Sequence, residues 1–157
     1  MDHNIILLIH PALGGIAILA ALWVFVDTLN ASEASLSRIR NVSILCSVLM
    51  WLTYILGGYW YVLHYAPEKA IIKAGPWPFA HGFFMETKEH VFLMLLLLAT
   101  YLPIVTSNNL AKSKSAKKLV LWVAGLIVPI SLSMEGSGAI ISIAVKISLL
   151  FKQAQGG

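Results

Sequence analysis

Five ionisable residues, His10, His64, Glu86, His90 and Glu135, fall in or beside long apolar runs that carry almost no other charge. An ionisable group inside a membrane span is costly, so each of these is a functional candidate. Neutral imidazoles suit haem iron, which takes axial nitrogen ligands in a dry, mostly hydrophobic slot. Carboxylates beside such a slot are expensive unless protonated, hydrogen-bonded or wet, so Glu86 and Glu135 are the candidates for proton handling. Glu86 and His90 stand four apart and share a helix face, a spacing at which the carboxylate can accept the second imidazole N–H. His10 shares a face with Gly14, and Gly57 lies two turns before His64, so both positions leave room for a flat ligand or a neighbouring helix.

The elements that must position these residues are set by hydropathy. Residues 5–26 and 42–63 are apolar runs of roughly 20 residues, each enough to cross a bilayer core as a helix. Residues 91–105 reach that length only if their helix begins within 78–89, and 119–134 only if theirs continues past Glu135. The expectation is an all-α integral membrane four-helix bundle with spans near 5–27, 41–64, 79–106 and 118–138. Gly136-Ser137-Gly138 is expected to interrupt the fourth helix. Residues 139–152 then form a short amphipathic C-terminal helix, too short for a fifth span. With 59% hydrophobic and 11% charged residues, the chain has too little polar surface for a soluble domain of this size.

Arg38 and Arg40 mark the first connection, and Lys112, Lys114, Lys117 and Lys118 mark the third. By the positive-inside rule those loops face the cytoplasm and both termini lie outside. Lys69, Lys73 and Lys88 in the middle connection vote the other way. The net charge of +4 is accounted for by this topology and by lipid phosphates, and no interleaved basic and aromatic patch points to nucleic acid. The middle connection is also crowded with Tyr59, Trp60, Tyr61, Tyr65, Trp77, Phe79, Phe83 and Phe84 around three prolines, the composition of an interfacial aromatic belt with stiff turns. Cys46, the only cysteine, excludes an internal disulfide and c-type haem attachment and reads as a core residue.

Counting about 1.5 Å per residue from the inner ends places His10, His90 and Glu135 at one level, roughly 25 Å up, with His64 about 10 Å nearer the outer surface. On this count His90 and His10 are the expected axial pair and His64 the substitute. His3, before the span, and His81, about 180° from His90 on a continuous helix, are expected to be dispensable.

With its four spans and with His10, His64 and His90 beside their glycines, the chain resembles the small four-helix membrane b-type cytochromes, both the cytochrome b561-like proteins and the hydrogenase-type cytochrome b subunits. That resemblance implies haem b and a place in an electron-transfer complex. The fourth span has no histidine and neither does the inner half, so one haem near the outer face is implied where those families usually hold two. The expected protein is a redox subunit of a bacterial or archaeal cytoplasmic membrane. It would exchange electrons with quinol or a partner subunit, as part of a homo- or hetero-oligomer rather than as an enzyme on its own. Two alternatives come from other classes. One is a non-haem metal site of three imidazoles and two carboxylates, although the Glu86 to His90 spacing of four is not the Glu-x-x-His of di-iron bundles. The other is a cofactor-free scaffold whose polar residues bond helix to helix.

Overall fold

A computed structural model describes residues 3–155 and the side chains of 5–155. Helices α1 (His3–Leu29), α2 (Leu36–Ala74), α3 (Glu86–Thr106) and α4 (Lys114–Gln155) run up and down in sequence, and a π-helical segment, Ala80–Met85, leads directly into α3. All four are long and apolar enough to cross a membrane. Each helix packs on its two neighbours in the ring α1, α2, α3, α4, and α2 also approaches α4 across one diagonal. Short loops dictate this antiparallel order.

The core is built from small and branched residues, with Ala17, Ala20, Ala21, Cys46, Ala99 and Ala124 letting backbones approach. Close approach is what packs helices in lipid, where no hydrophobic force separates protein from solvent. Large apolar side chains such as Leu8, Val62 and Leu97 point outward and are more than two-thirds exposed. Several hydroxyls find partners locally or across one interface. Ser43 and Thr106 hydroxyls meet at 2.7 Å between α2 and α3, and the Trp51 indole N–H donates to Thr100 at 3.0 Å.

Two expected boundaries differ. The second helix does not stop near residue 64 but continues to Ala74, so Tyr59, Trp60, Tyr61 and Tyr65 stand on a helix and only 75–79 form the connection. Nor does Gly136-Ser137-Gly138 break α4, which is continuous to Gln155 with no glycine at positive φ. Two of the three serve contact instead. Ser137 is buried and donates to the Ser133 carbonyl at 2.7 Å, and Gly138 lets the Lys88 ammonium lie against the helix. At about 1.5 Å per residue α2 and α4 measure roughly 58 and 63 Å, longer than a bilayer core.

The opposite end of the bundle is pinned by ion pairs and caps. Arg38 donates to Asp27 at 2.7 Å, Lys117 Nζ to the last carbonyl of α1, that of Leu29, at 2.8 Å, and Ser113 caps α4 through the Ala116 N–H. Asn109 and Lys112 hold the Glu33 carboxyl below its ordinary range. The contribution of Glu33 is therefore present above the usual carboxylate pKa and is lost as pH falls through the lowered value.

Continuity of α4 is measurable. Spin labels at the exposed positions Ser133 and Lys146 should report backbone sites about 20 Å apart with a narrow distribution. A broad or clearly shorter distance by pulsed electron resonance would mean that the helix breaks between them.

Candidate functional site

At the end where α1 begins, the four helices enclose an open cavity of about 740 Å³. Aromatic and aliphatic side chains make most of its wall, including Ile6, Tyr54, Trp60, Tyr61 and Phe92, with Tyr54 and Phe92 stacked at 5.4 Å. Its polar groups come from all four helices. His10 enters from α1, Thr53 from α2, Lys88 and Glu89 from α3, Glu135 and Lys146 from α4.

His10 is the most fully specified of these. Its Nδ1 lies 2.9 Å from the Thr53 carbonyl, which has no hydrogen to give. Nδ1–H is therefore the donor in the neutral ring, and Nε2 carries the lone pair. A backbone carbonyl behind one nitrogen is the usual way a ligating imidazole is oriented and kept in one tautomer. The ring lies directly on Gly57, where a β-carbon would sit 2.6 Å from Cε1 and 2.9 Å from Nδ1 of His10.

Two more polar side chains are seated in the same way. The Glu135 carboxylate of α4 rests on Gly14 of α1, with Cδ 3.3 Å from the position of an added β-carbon. The Lys88 ammonium of α3 rests on Gly138 of α4, 3.1 Å from the position of an added β-carbon, and Lys88 and Glu135 interact electrostatically. Going round the bundle, α3 places a cation on α4, α4 an anion on α1, and α1 an imidazole on α2. Each seat is a glycine because only a bare backbone leaves the room. Thr53 Oγ1 and the Trp60 indole nitrogen, both at this wall, are buried without a hydrogen-bond partner.

The other expected site residues lie elsewhere. His90 is exposed and bonds the Glu86 backbone carbonyl of its own helix at 2.7 Å. The anticipated Glu86 carboxylate to His90 pairing is not made. Glu86 instead faces the buried His81, whose Nε2 is 3.9 Å from Oε1. His64 is half-buried against Tyr59 on α2 and does not line the cavity. His10 lines the cavity and His90 does not, so the two are not brought to one site. Among the described residues no three His, Cys, Asp or Glu side chains converge on a metal position, so the expected set of three imidazoles and two carboxylates is not assembled. His10, Gly14, Gly57 and Glu135 do share one site.

Lys88 and His81 are the residues that sequence reasoning passed over. The inward face of α3 carries Phe92, Leu95, Ala99, Leu102 and Thr106. Extended back at helical spacing, that stripe meets Lys88, Met85 and His81, while His90 falls with exposed Met94, Leu97, Tyr101 and Ile104. The small residues of the stripe were the available signal.

Glycine substitutions test the seats. Gly57→Ala and Gly14→Ala should each destabilise the detergent-solubilised protein by about 1–3 kcal/mol, because His10 or Glu135 must move. Gly58→Ala and Gly15→Ala, where an added β-carbon meets nothing, should be neutral or stabilising by up to roughly 1 kcal/mol through helix propensity. Equal effects within each neighbouring pair, read by thermal unfolding, would remove the seating argument.

Compared with protein-family models, curated proteins and solved structures, the chain finds no match in any of the three.

Proposed function

We propose that this chain is a membrane redox subunit in which the cavity holds one haem b through His10, with electrons exchanged with a quinol or a partner subunit. The observation that carries the reading is the fixed tautomer of His10, whose Nδ1–H is committed to the Thr53 carbonyl so that Nε2 is free to ligate. A cavity of about 740 Å³ lies within the usual range for cofactor and small-molecule sites, roughly 300–1,000 Å³. Its mostly apolar and aromatic wall supports a flat hydrophobic group, and Lys88 offers a cation to a carboxylate on that group. The haem would supply one-electron redox chemistry. Glu135, seated beside His10 on α1, would hold or pass the proton that accompanies quinol oxidation.

His90 is no longer the favoured first ligand, since its ring is exposed and does not line the cavity. A second reading, a quinone headgroup bound directly among His10, Lys88 and Glu135, is favoured by the opposite charges in the same wall. As for orientation, the helix ends and loops at the far end carry six cations, Arg38, Arg40, Lys112, Lys114, Lys117 and Lys118, against Asp27 and Glu33. That surplus equals the whole net charge of +4. It supports a cytoplasmic location for those loops and an outward-facing cavity.

The visible spectrum of the purified protein, oxidised against dithionite-reduced, decides between the two readings. Sharp reduced b-type bands are expected in the wild type, lost or strongly diminished in His10→Ala and retained in His90→Ala. Full haem content in His10→Ala would overturn the assignment. A blank spectrum together with quinone in the organic extract would favour the second reading.

A further inference from the structure

The redox reading uses Lys88 only as a charge, yet a primary amine enclosed by an apolar wall has a chemistry of its own. Lys88 enters half-buried from the inward face of α3 and ends against bare backbone at Gly138 of α4. Tyr54, Tyr61, Met85 and Phe92 line the same cavity of about 740 Å³. Among the described residues the wall holds one other amine, that of Lys146, and it is exposed. Glu135 is the carboxylate that acts on Lys88, and the His10 ring feels the same ammonium. Glu135 is itself seated on Gly14, so both members of the pair stand where the neighbouring backbone leaves room.

We propose that Lys88 captures a flat apolar aldehyde as a Schiff base, with Glu135 as its proton carrier and counter-ion. Lysines that form imines with bound carbonyl compounds are characteristically withdrawn from water into apolar pockets, where the neutral amine can attack. The step balances within the pair. The Lys88 ammonium passes one proton to the Glu135 carboxylate, directly or over one water, and the amine nitrogen attacks the carbonyl carbon. As the C–N bond forms, a nitrogen proton moves to the oxygen and gives a carbinolamine. Glu135 returns its proton to that hydroxyl, the C–O bond breaks, water leaves and the nitrogen lone pair closes the C=N bond. The product is a protonated imine opposite the Glu135 carboxylate, so the site carries the same charge before and after. Such a carboxylate is the counter-ion that a cation inside a membrane requires.

The wall sets the class of aldehyde. The stacked rings of Tyr54 and Phe92, with Tyr61 beside them, favour a planar apolar skeleton over a sugar or a short polar aldehyde. Glu68, Glu89 and Glu135 against Lys88 and Lys146 leave the wall no surplus of positive charge for a phosphorylated one. The inference goes beyond the redox reading and does not depend on it.

The full chain in lipid nanodiscs is incubated with naphthaldehyde and cyanoborohydride, which traps the imine as a stable secondary amine, and each lysine is read by peptide mass spectrometry. Lys88 should be labelled roughly tenfold faster than the exposed Lys112, Lys146 and Lys152. Pyridoxal phosphate should reverse that order, and equally fast labelling of Lys88 by it would overturn the apolar class. Without the reductant, a conjugated aldehyde such as cinnamaldehyde should give the long-wavelength absorption of a protonated imine, absent in Lys88→Arg. Glu135→Gln should shift that band to the blue at neutral pH, and Glu135→Asp should restore it. An unchanged band in Glu135→Gln would overturn the pairing. The labelling is repeated in His10→Ala. If Lys88 is no faster than the exposed lysines in both proteins, the capture is overturned and the haem assignment is left to its own spectrum. Fast labelling in His10→Ala alone would support the capture and place haem in the same cavity.

Discussion

A polar side chain surrounded by hydrocarbon must be satisfied by a neighbouring helix, and here that demand is met by seating each such group on a glycine of the next helix. His10 on Gly57, Glu135 on Gly14 and Lys88 on Gly138 join three of the four interfaces of the ring. The opening that collects these groups also brings aromatic side chains to its edge, so cavity, packing and electrostatics share one cause. A β-carbon at 57 would displace the His10 ring and with it the N–H that reaches the Thr53 carbonyl.

The two ends of the bundle are built differently. At the loop end, side chains reach across short connections and neutralise or cap what the helices leave open, as Lys117 does for Leu29. At the cavity end, α2 and α4 run on with the π-helical segment between them, and a second core around Tyr65, Ile72 and Ile141 holds them together. That core lets the cavity have a polar floor and still keep its walls in place.

Much of this was legible in the sequence. Four apolar helices long enough to span a membrane, the all-α class and the buried Cys46 follow from hydropathy and residue type. What misled was local rule-keeping. Gly136-Ser137-Gly138 has the composition of a helix stop, but Gly138 packs against Lys88 and Ser137 is buried, a tertiary use that overrides propensity. His90 drew attention by residue type and level alone. Level along an axis says nothing about rotation around it, and rotation is what put Lys88 inside and His90 outside. The continuation of α2 through Pro67 was likewise hidden, because a proline and a dense set of aromatics suggest a turn while an exposed helix face accommodates both.

The ring of seats also bears on how such a sequence can change over time. Each occupied glycine is tied to one polar residue on another helix, so neither can drift alone: a larger residue at 57 demands a smaller one at 10, and the same holds for 14 with 135 and 138 with 88. Divergent forms of this protein would therefore vary at these positions in pairs, and a chain that lost one occupant would be free to fill its seat, turning a site into ordinary packing in a single compensated step.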